Sequence, residues 1–287
     1  MYNFVSEQQI DYPVKTICKA LGISRSSYYE YKQGKSYQVD QDALESVRQM
    51  FVVHRRRYGS RRISKALAHQ GVKLGRFKVR RLMKAGDLKA IQPKSFVPKT
   101  TNSKHTLGYA PNVLASNKFP KAPNRVFVGD ITYLPTTYGE WIYLNVWIDL
   151  FSRRVVGWKL DDNMEEDLAI DSFNQAKNTR TPPKGLIVHT DRAGQYAGGD
   201  FKLALKGYTQ SMSGADNPYD NAHAESFFSR FKAELLEKGA FESLEDARTE
   251  VFDYIEMYYN THRLHSSLGY LSPAQFEMKH YEAERNA

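Results

Sequence analysis

What most narrows the fold of this 287-residue chain is a change of periodicity near residue 125. Upstream, apolar residues recur at helical intervals. Downstream, three runs rich in aromatic and β-branched residues follow in quick succession: RVFVGDITYL from Arg125, WIYLNVWIDL from Trp141 and RVVGWKL from Arg154. A turn over Thr136–Glu140 predicts that the first two form a hairpin, with the third as the next antiparallel strand. A helix is expected over Glu165–Lys177, with Leu168, Ile170 and Phe173 at apolar positions. The short apolar run Gly185–His189 suits the middle of a sheet, covered on both faces. Helical, strand-like and strongly helical stretches follow at Phe201–Leu205, Tyr208–Met212 and Ala222–Lys238.

The order strand-strand-strand-helix-strand-helix-strand-helix is that of a ribonuclease-H-like α/β domain, and it predicts a mixed five-stranded sheet with helices. The expected organisation is a helix-turn-helix-like segment over 1–40, a basic helical unit over 41–90 and a linker over 91–123. An α/β core over 124–240 and a helical extension over 241–287 complete it. In Pro13–Tyr31 the pattern is two helices about a turn at Gly22. Ser24 caps the second, and Ile17, Ala20, Leu21 and Ile23 form the apolar face. Tyr58-Gly59-Ser60-Arg61-Arg62-Ile63 breaks and restarts the helix of the second unit. In Arg76–Leu82, Phe77, Val79 and Leu82 are expected to point inward. Between Ala90 and Asn124 the periodicity vanishes, as in an extended linker, and a last helix is expected over Leu244–Asn260.

The formal net charge of +9 hides a segregation. Residues 1–50 are neutral, 51–125 hold nineteen basic residues and only Asp87 as an acid, and 126–287 carry −9. A block that lopsided repels itself unless a polyanion neutralises it, which points to nucleic acid. Arg61, Arg62, Arg76, Lys78, Arg80 and Arg81 are the candidate DNA-binding cations. The single cysteine, Cys18, excludes a disulfide framework and any multi-cysteine zinc site, and fits a reducing cytoplasm. No apolar run approaches the roughly 20 residues needed to cross a bilayer, and Met1–Ile10 lacks the pattern of a secretory signal.

Three acids stand out by context. Asp130 interrupts an apolar strand, Asp191 follows the end of another, and Glu225 opens a helix. A carboxylate in such a strand is expensive unless it reaches the sheet surface or a metal. In parallel sheets, ligands gather at the carboxyl ends of strands. Two Mg2+ ions held about 4 Å apart by carboxylates can activate one phosphodiester oxygen and stabilise another, so two Asp and one Glu form a sufficient set. On the Glu225 helix, Phe227, Phe228, Phe231 and Leu235 define a buried side, whereas Glu225, Ser229 and Lys232 share another stripe. Lys232 is thus a candidate phosphate contact. His189 is expected to be packed rather than catalytic, Arg192 to pair with an acid or DNA, and Tyr219, Asp220 and Asn221 to build the turn and cap before Glu225. Contact of His262, Arg263 or His265 with DNA stays open.

These residues together resemble the B-frame transposases of the IS3 group of bacterial insertion sequences, within the wider transposase and retroviral-integrase superfamily. The resemblance is carried by Val128-Gly129-Asp130-Ile131-Thr132-Tyr133, the run from Asp149 to Trp158, His189-Thr190-Asp191-Arg192, the run from Asn217 to Phe228, and the run from Tyr259 to Tyr270. It implies an Asp-Asp-Glu triad at Asp130, Asp191 and Glu225, Mg2+ or Mn2+ as cofactor with two ions, and Lys232 near the reactive phosphate. It also implies DNA cleavage by activated water, then attack of the freed 3′-hydroxyl on another phosphodiester. The implied partners are transposon-end and target DNA, an A-frame protein as fusion or companion, and further copies of the chain on DNA. The chain departs from the family pattern in having Phe127 in place of Trp, Ala193-Gly194 in place of Gly-Ser, and a spacing of 34 between Asp191 and Glu225. Two other readings of the residues are a non-catalytic DNA-binding regulator and a ribonuclease-H-type nuclease that only hydrolyses.

Overall fold

The computed structural model describes residues 1–33, 39–92, 108–116, 119–214, 221–237 and 239–286. At the amino end, α1 (Tyr2–Gln8), α2 (Val14–Ala20) and α3 (Arg25–Lys32) close around Val5, Ile17, Cys18 and Tyr28. Gly22, at φ +64°, makes the turn between α2 and α3. The face of α2 that packs is Val14, Ile17, Cys18 and Leu21, at i, i+3, i+4 and i+7. Ala20, expected on that face, is left exposed. Ser24 sits at the N-cap of α3, but its side chain makes no cap bond.

A second helical unit comprises α4 (Gln41–Val53), α5 (Ser60–His69) and α6 (Arg76–Ala85). Asp40 caps α4 by accepting from the Ala43 amide at 3.0 Å. The core joins Leu44, Val47 and Phe51 of α4 to Ile63 and Leu67 of α5 and Val79, Leu82 and Met83 of α6. Phe77 does not join it, contrary to expectation. It is 72% exposed, because Val79, Leu82 and Met83 fix the inward direction of α6 and Phe77 lies on the opposite side. Residues 93–107 of the expected linker lie outside the described residues. Within the expected linker span, α7 (Val113–Ser116) docks against the sheet, where the Val113 amide donates to Ser211 Oγ at 3.0 Å.

The five-stranded sheet runs in the order β3-β2-β1-β4-β5. β1 (Val126–Pro135), β2 (Trp141–Asp149) and β3 (Val155–Asp161) form the expected antiparallel meander. β4 (Ile187–Thr190) runs parallel to β1, and β5 (Thr209–Met212) parallel to β4. One face carries α8 (Glu166–Arg180), α9 (Gly194–Ala197) and α10 (Gly199–Ala204) over a core of Phe127, Trp147, Phe173, Val188, Tyr196 and Phe201. The other carries α11 (Ala222–Leu235) and α12 (Leu244–Phe252) over Val128, Val146, Phe227, Phe231 and Tyr254. Two glycines permit close approach here: a Cβ on Gly129 would lie 2.3 Å from the Trp147 ring, and one on Gly157 2.4 Å from the Ser172 carbonyl oxygen.

After α12 the chain continues as a π-helical turn over Asp253–Tyr259, so the single helix expected from Leu244 to Asn260 changes winding midway. A final helix, α13 (Pro273–Arg285), starts with a capping box between Ser272 and Gln275. The segment between them folds back on the second helical unit. Tyr58 Oη donates to the His262 carbonyl at 3.0 Å and accepts from the Leu264 amide at 2.8 Å, and Leu264 enters that unit's core.

Candidate active site

Asp130 lies near the middle of β1, in register with Val146 of β2. Side chains alternate along a strand, so Asp130 shares the face of Val126, Val128 and Leu134, the face covered by α11. Val128 pairs with His189 in the parallel ladder between β1 and β4. Two residues further along both chains are Asp130 and Asp191, so the same register sets them side by side as β4 ends. Asp191 Oδ1 accepts from the Ala193 amide at 3.0 Å, an Asx turn that fixes the carboxylate at the start of α9. Glu225 sits in the first turn of α11 and is exposed.

Three carboxylates from three elements therefore act on one another. Asp130 is raised well above the ordinary aspartate range, first by burial, then by the negative charges of Asp191 and Glu225. Its bond from the Ile131 amide and the Lys232 cation only partly offset this. Glu225 is also raised, by burial and by Asp191. The field reaches the buried Tyr196, whose phenol is raised by burial and then by Asp130 and Asp191. An all-oxygen set under mutual repulsion has the chemistry of a site for hard divalent cations. Among the described residues, however, no three His, Cys, Asp or Glu side chains stand close enough to chelate one ion. The acids share an electrostatic field without a closed ligand sphere.

The surroundings hold these groups in place. Asn145 of β2 donates to Tyr196 Oη at 2.9 Å. Asn221 occupies the N-cap position of α11 but makes no cap bond. Its amide instead reaches the Gly129 carbonyl at 3.4 Å, tying the helix start to the strand that carries Asp130. Tyr219 and Asp220 of the expected turn lie outside the described residues. His189 is fully buried, with Nδ1 2.9 Å from Ser211 Oγ and Nε2 3.3 Å from Ser213 Oγ, so it packs as expected. Arg192 donates to the Ser213 carbonyl at 2.8 Å and lies over the Tyr109 ring. Lys232 shares the Glu225 side of α11, its Nζ 4.3 Å from the centre of the Tyr133 ring. Burial lowers its pKa, and Asp130 works against that shift.

Sequence reasoning missed a second polar centre on the same helix. Glu234, nine residues after Glu225 and half a turn out of phase, is buried and accepts from Arg263 at 2.6 Å and 3.0 Å and from Tyr254 Oη at 2.9 Å. Burial would raise Glu234, yet Arg263 and the hydrogen bonds bring it below the ordinary glutamate range. Arg263, whose contact with DNA was open, is 2% exposed and serves this pair. His265 beside it is pushed down to about 2 by burial and by the neighbouring arginines. The signal available in the sequence was a glutamate among the phenylalanines of an otherwise apolar face.

The candidate DNA-binding cations divide into two sets. Arg61, Arg76, Arg80 and Arg81 are exposed. Lys78 pairs with Asp40 at 2.7 Å. Arg62 turns inward, donating through Nε to the Leu264 carbonyl at 2.9 Å and lying over the Tyr58 ring. No helix of the described residues is long and apolar enough to cross a membrane.

Comparison with known proteins agrees with this architecture. The sequence matches the family described as "Integrase core domain" over residues 120–218, a second family of that description over 206–273, and an "HTH-like domain" over 38–96. It is 40% identical over 250 residues to the transposase for insertion sequence element IS904 of Lactococcus lactis subsp. lactis (strain IL1403), covering 86% of this chain and 98% of that protein. It is 37% identical over 285 residues to transposase InsF for insertion sequence IS3A of Escherichia coli (strain K12), covering 97% and 98%. Among solved structures it resembles a chain of the simian T-cell lymphotropic virus intasome with PP2A regulatory subunit B56 gamma, at TM-score 0.46 and 18% identity over 75% of this chain and 70% of that one. It also resembles the HTLV-2 integrase catalytic core domain in complex with magnesium, at TM-score 0.42 and 16% identity over 55% and 98%. With near-full-length identity at this level, the chain belongs to the IS3-family insertion-sequence transposases, enzymes with an integrase catalytic core and an HTH-like domain.

Proposed function

We propose that this transposase cuts and joins DNA at the ends of its insertion sequence through Asp130, Asp191 and Glu225. The observation that carries the reading is the convergence of these carboxylates from β1, the end of β4 and α11, each in the field of another. Asp130 and Asp191 would hold one divalent ion between adjacent strands, and Glu225 with one of them a second. Mg2+ or Mn2+ bound there supplies Lewis-acid activation of the attacking oxygen and stabilisation of the leaving one. The chain's own part is positional. β1 and β4 fix the two aspartates by register, and Asn221 ties α11 to Gly129. Lys232, on the same side of α11, meets a phosphate oxygen. The exposed cations of α5 and α6 hold the DNA backbone, which makes binding fall steeply with salt. Transposon-end and target DNA are the substrates, a companion A-frame protein and further copies of the chain the partners, and the bacterial cytoplasm the site of action.

The test is strand cleavage and joining in Mg2+ on a duplex carrying the element's own end, with Asp191→Asn beside the parent chain. Loss of both products from a variant with the parent's thermal unfolding midpoint is expected. Equal cutting and joining by Asp191→Asn would overturn the assignment. Cut strands without joined ones from the parent chain would instead favour a hydrolase.

A further inference from the structure

α6 presents a solvent-exposed face centred on Phe77. Its buried residues, Val79, Leu82 and Met83, point to one side. At 100° per residue the direction opposite them is that of Phe77, ringed by Arg80, Arg81 and Lys84 at i+3, i+4 and i+7. Phe77 is 72% exposed, and the Arg76 guanidinium lies 5.7 Å from its ring centre. α5 and α6 are joined by residues 70–75, in which Gly71 has φ +84°, and lie within the HTH-like match; in a helix-turn-helix the second helix enters a major groove.

An aromatic ring at the centre of a cationic face suits one polyanion in particular. The major groove is about 12 Å wide, enough for one helix, with phosphates along its rims and base edges on its floor. Cations at the margins of the face reach the rims, and the ring between them meets the floor. The apolar feature on that floor is the thymine 5-methyl group. We propose that Phe77 reads sequence: α6 lies in the major groove, Arg80, Arg81 and Lys84 engage phosphates, and the Phe77 ring packs on a thymine methyl. The inference rests on the assignment of the basic helical unit to DNA above, and adds a specificity-determining residue to it.

The test uses the full chain and a pool of random-sequence duplexes. The parent selects its preferred duplex, which is then remade with uracil in place of thymine, removing only the 5-methyl groups. The parent is expected to bind the uracil duplex about five- to tenfold more weakly, the lower part of the range for one altered base-pair contact. Phe77→Ala should bind both forms equally, with the parent's salt dependence and unfolding midpoint, since the ring makes no part of the core. A parent indifferent to the methyl groups, or Phe77→Ala with the parent's ratio, overturns the proposal. The underlying reading is tested separately by Arg80→Gln with Lys84→Gln. This pair should lower the slope of log affinity against log salt by about two and leave the thymine-to-uracil ratio in place. An unchanged slope removes α6 from the DNA and the proposal with it. Binding of the face to phosphatidylserine vesicles through Phe77, with no methyl dependence on DNA, also overturns it.

Discussion

Two glutamates on α11 are nine residues apart, and the fold treats them oppositely. Glu225 opens the helix with its side chain largely in solvent, and is raised by partial desolvation and by Asp191. Glu234 near its end is buried, yet held below the ordinary range by Arg263 and Tyr254. Nine residues turn a helix through two and a half revolutions, so the two side chains leave on opposite sides. One meets the like charge of Asp191 beside the sheet, and the other a fully satisfied counter-ion in the interior. A carboxylate paired this way anchors structure. A carboxylate among its own kind is held at a cost in stability, which a bound cation relieves.

The sharpest way to break this comparison is Asp130→Asn. Strand transfer is expected to fall about a thousandfold, roughly 4 kcal/mol in the barrier, because the proposed ligand set loses an oxygen and a charge together. The metal-free chain should unfold at the same temperature or a higher one, because repulsion is relieved. Joined-product yield on a gel and thermal unfolding check the two halves. Loss of stability comparable to the loss of activity would make Asp130 a structural residue.

Arg263→Ala tests the other end of α11. It leaves Glu234 buried and uncompensated and is expected to destabilise the chain by about 3–5 kcal/mol in urea unfolding. Replacing both partners by apolar residues, Glu234→Leu with Arg263→Met, should recover most of that loss. A single variant as stable as the parent would show that the pair is not the anchor of the helix end.

The two regions also differ in their response to pH. Asp130 and Glu225 have folded pKa values raised above their unfolded ones, so the folded metal-free chain holds protons that the unfolded chain has released. Its stability should therefore fall as pH rises through and above the ordinary carboxylate range, and Asp130→Asn or added Mg2+ should flatten that fall. Glu234 works the other way: its contribution is complete above the unfolded value of 4.5 and is lost as pH drops through the lowered folded value. His54, lowered to about 4, and His265, lowered to about 2, add stability above 6.5 that is lost as pH falls below it. Urea midpoints from pH 4 to 8, with and without Mg2+, separate these slopes. The smallest expected effect is that of Lys232→Met, about a fivefold rise in KM for DNA, roughly 1 kcal/mol, with kcat retained. A change in kcat alone would move Lys232 from DNA contact to the reacting groups.

Much of the catalytic half was legible because strand runs and acids in apolar contexts are local signals. The meander, the short central strand and the amphipathic face of α11 follow from periodicities of 2.0 and 3.6. Local context could not separate Asp130, within an apolar strand, from Asp149, at the end of another. Asp149 is fully buried and accepts from the amides of Asn124, Phe151 and Ser152, so it builds the β2–β3 corner. Likewise Arg61 and Arg62 are adjacent and chemically identical, yet one is exposed and the other is bonded to a carbonyl 202 residues away.

By itself the sequence determined the α/β core and the segregation of charge between the halves and nominated the three acids, because each of these signals is written in neighbouring residues. The tertiary structure alone decided which polar groups face one another. It set Asp130 beside Asp191 through strand register, gave Arg263 to Glu234 rather than to DNA, and turned Phe77 outward. Each of those outcomes depends on partners far away in the chain, where electrostatics and packing act through space and local propensity carries no information.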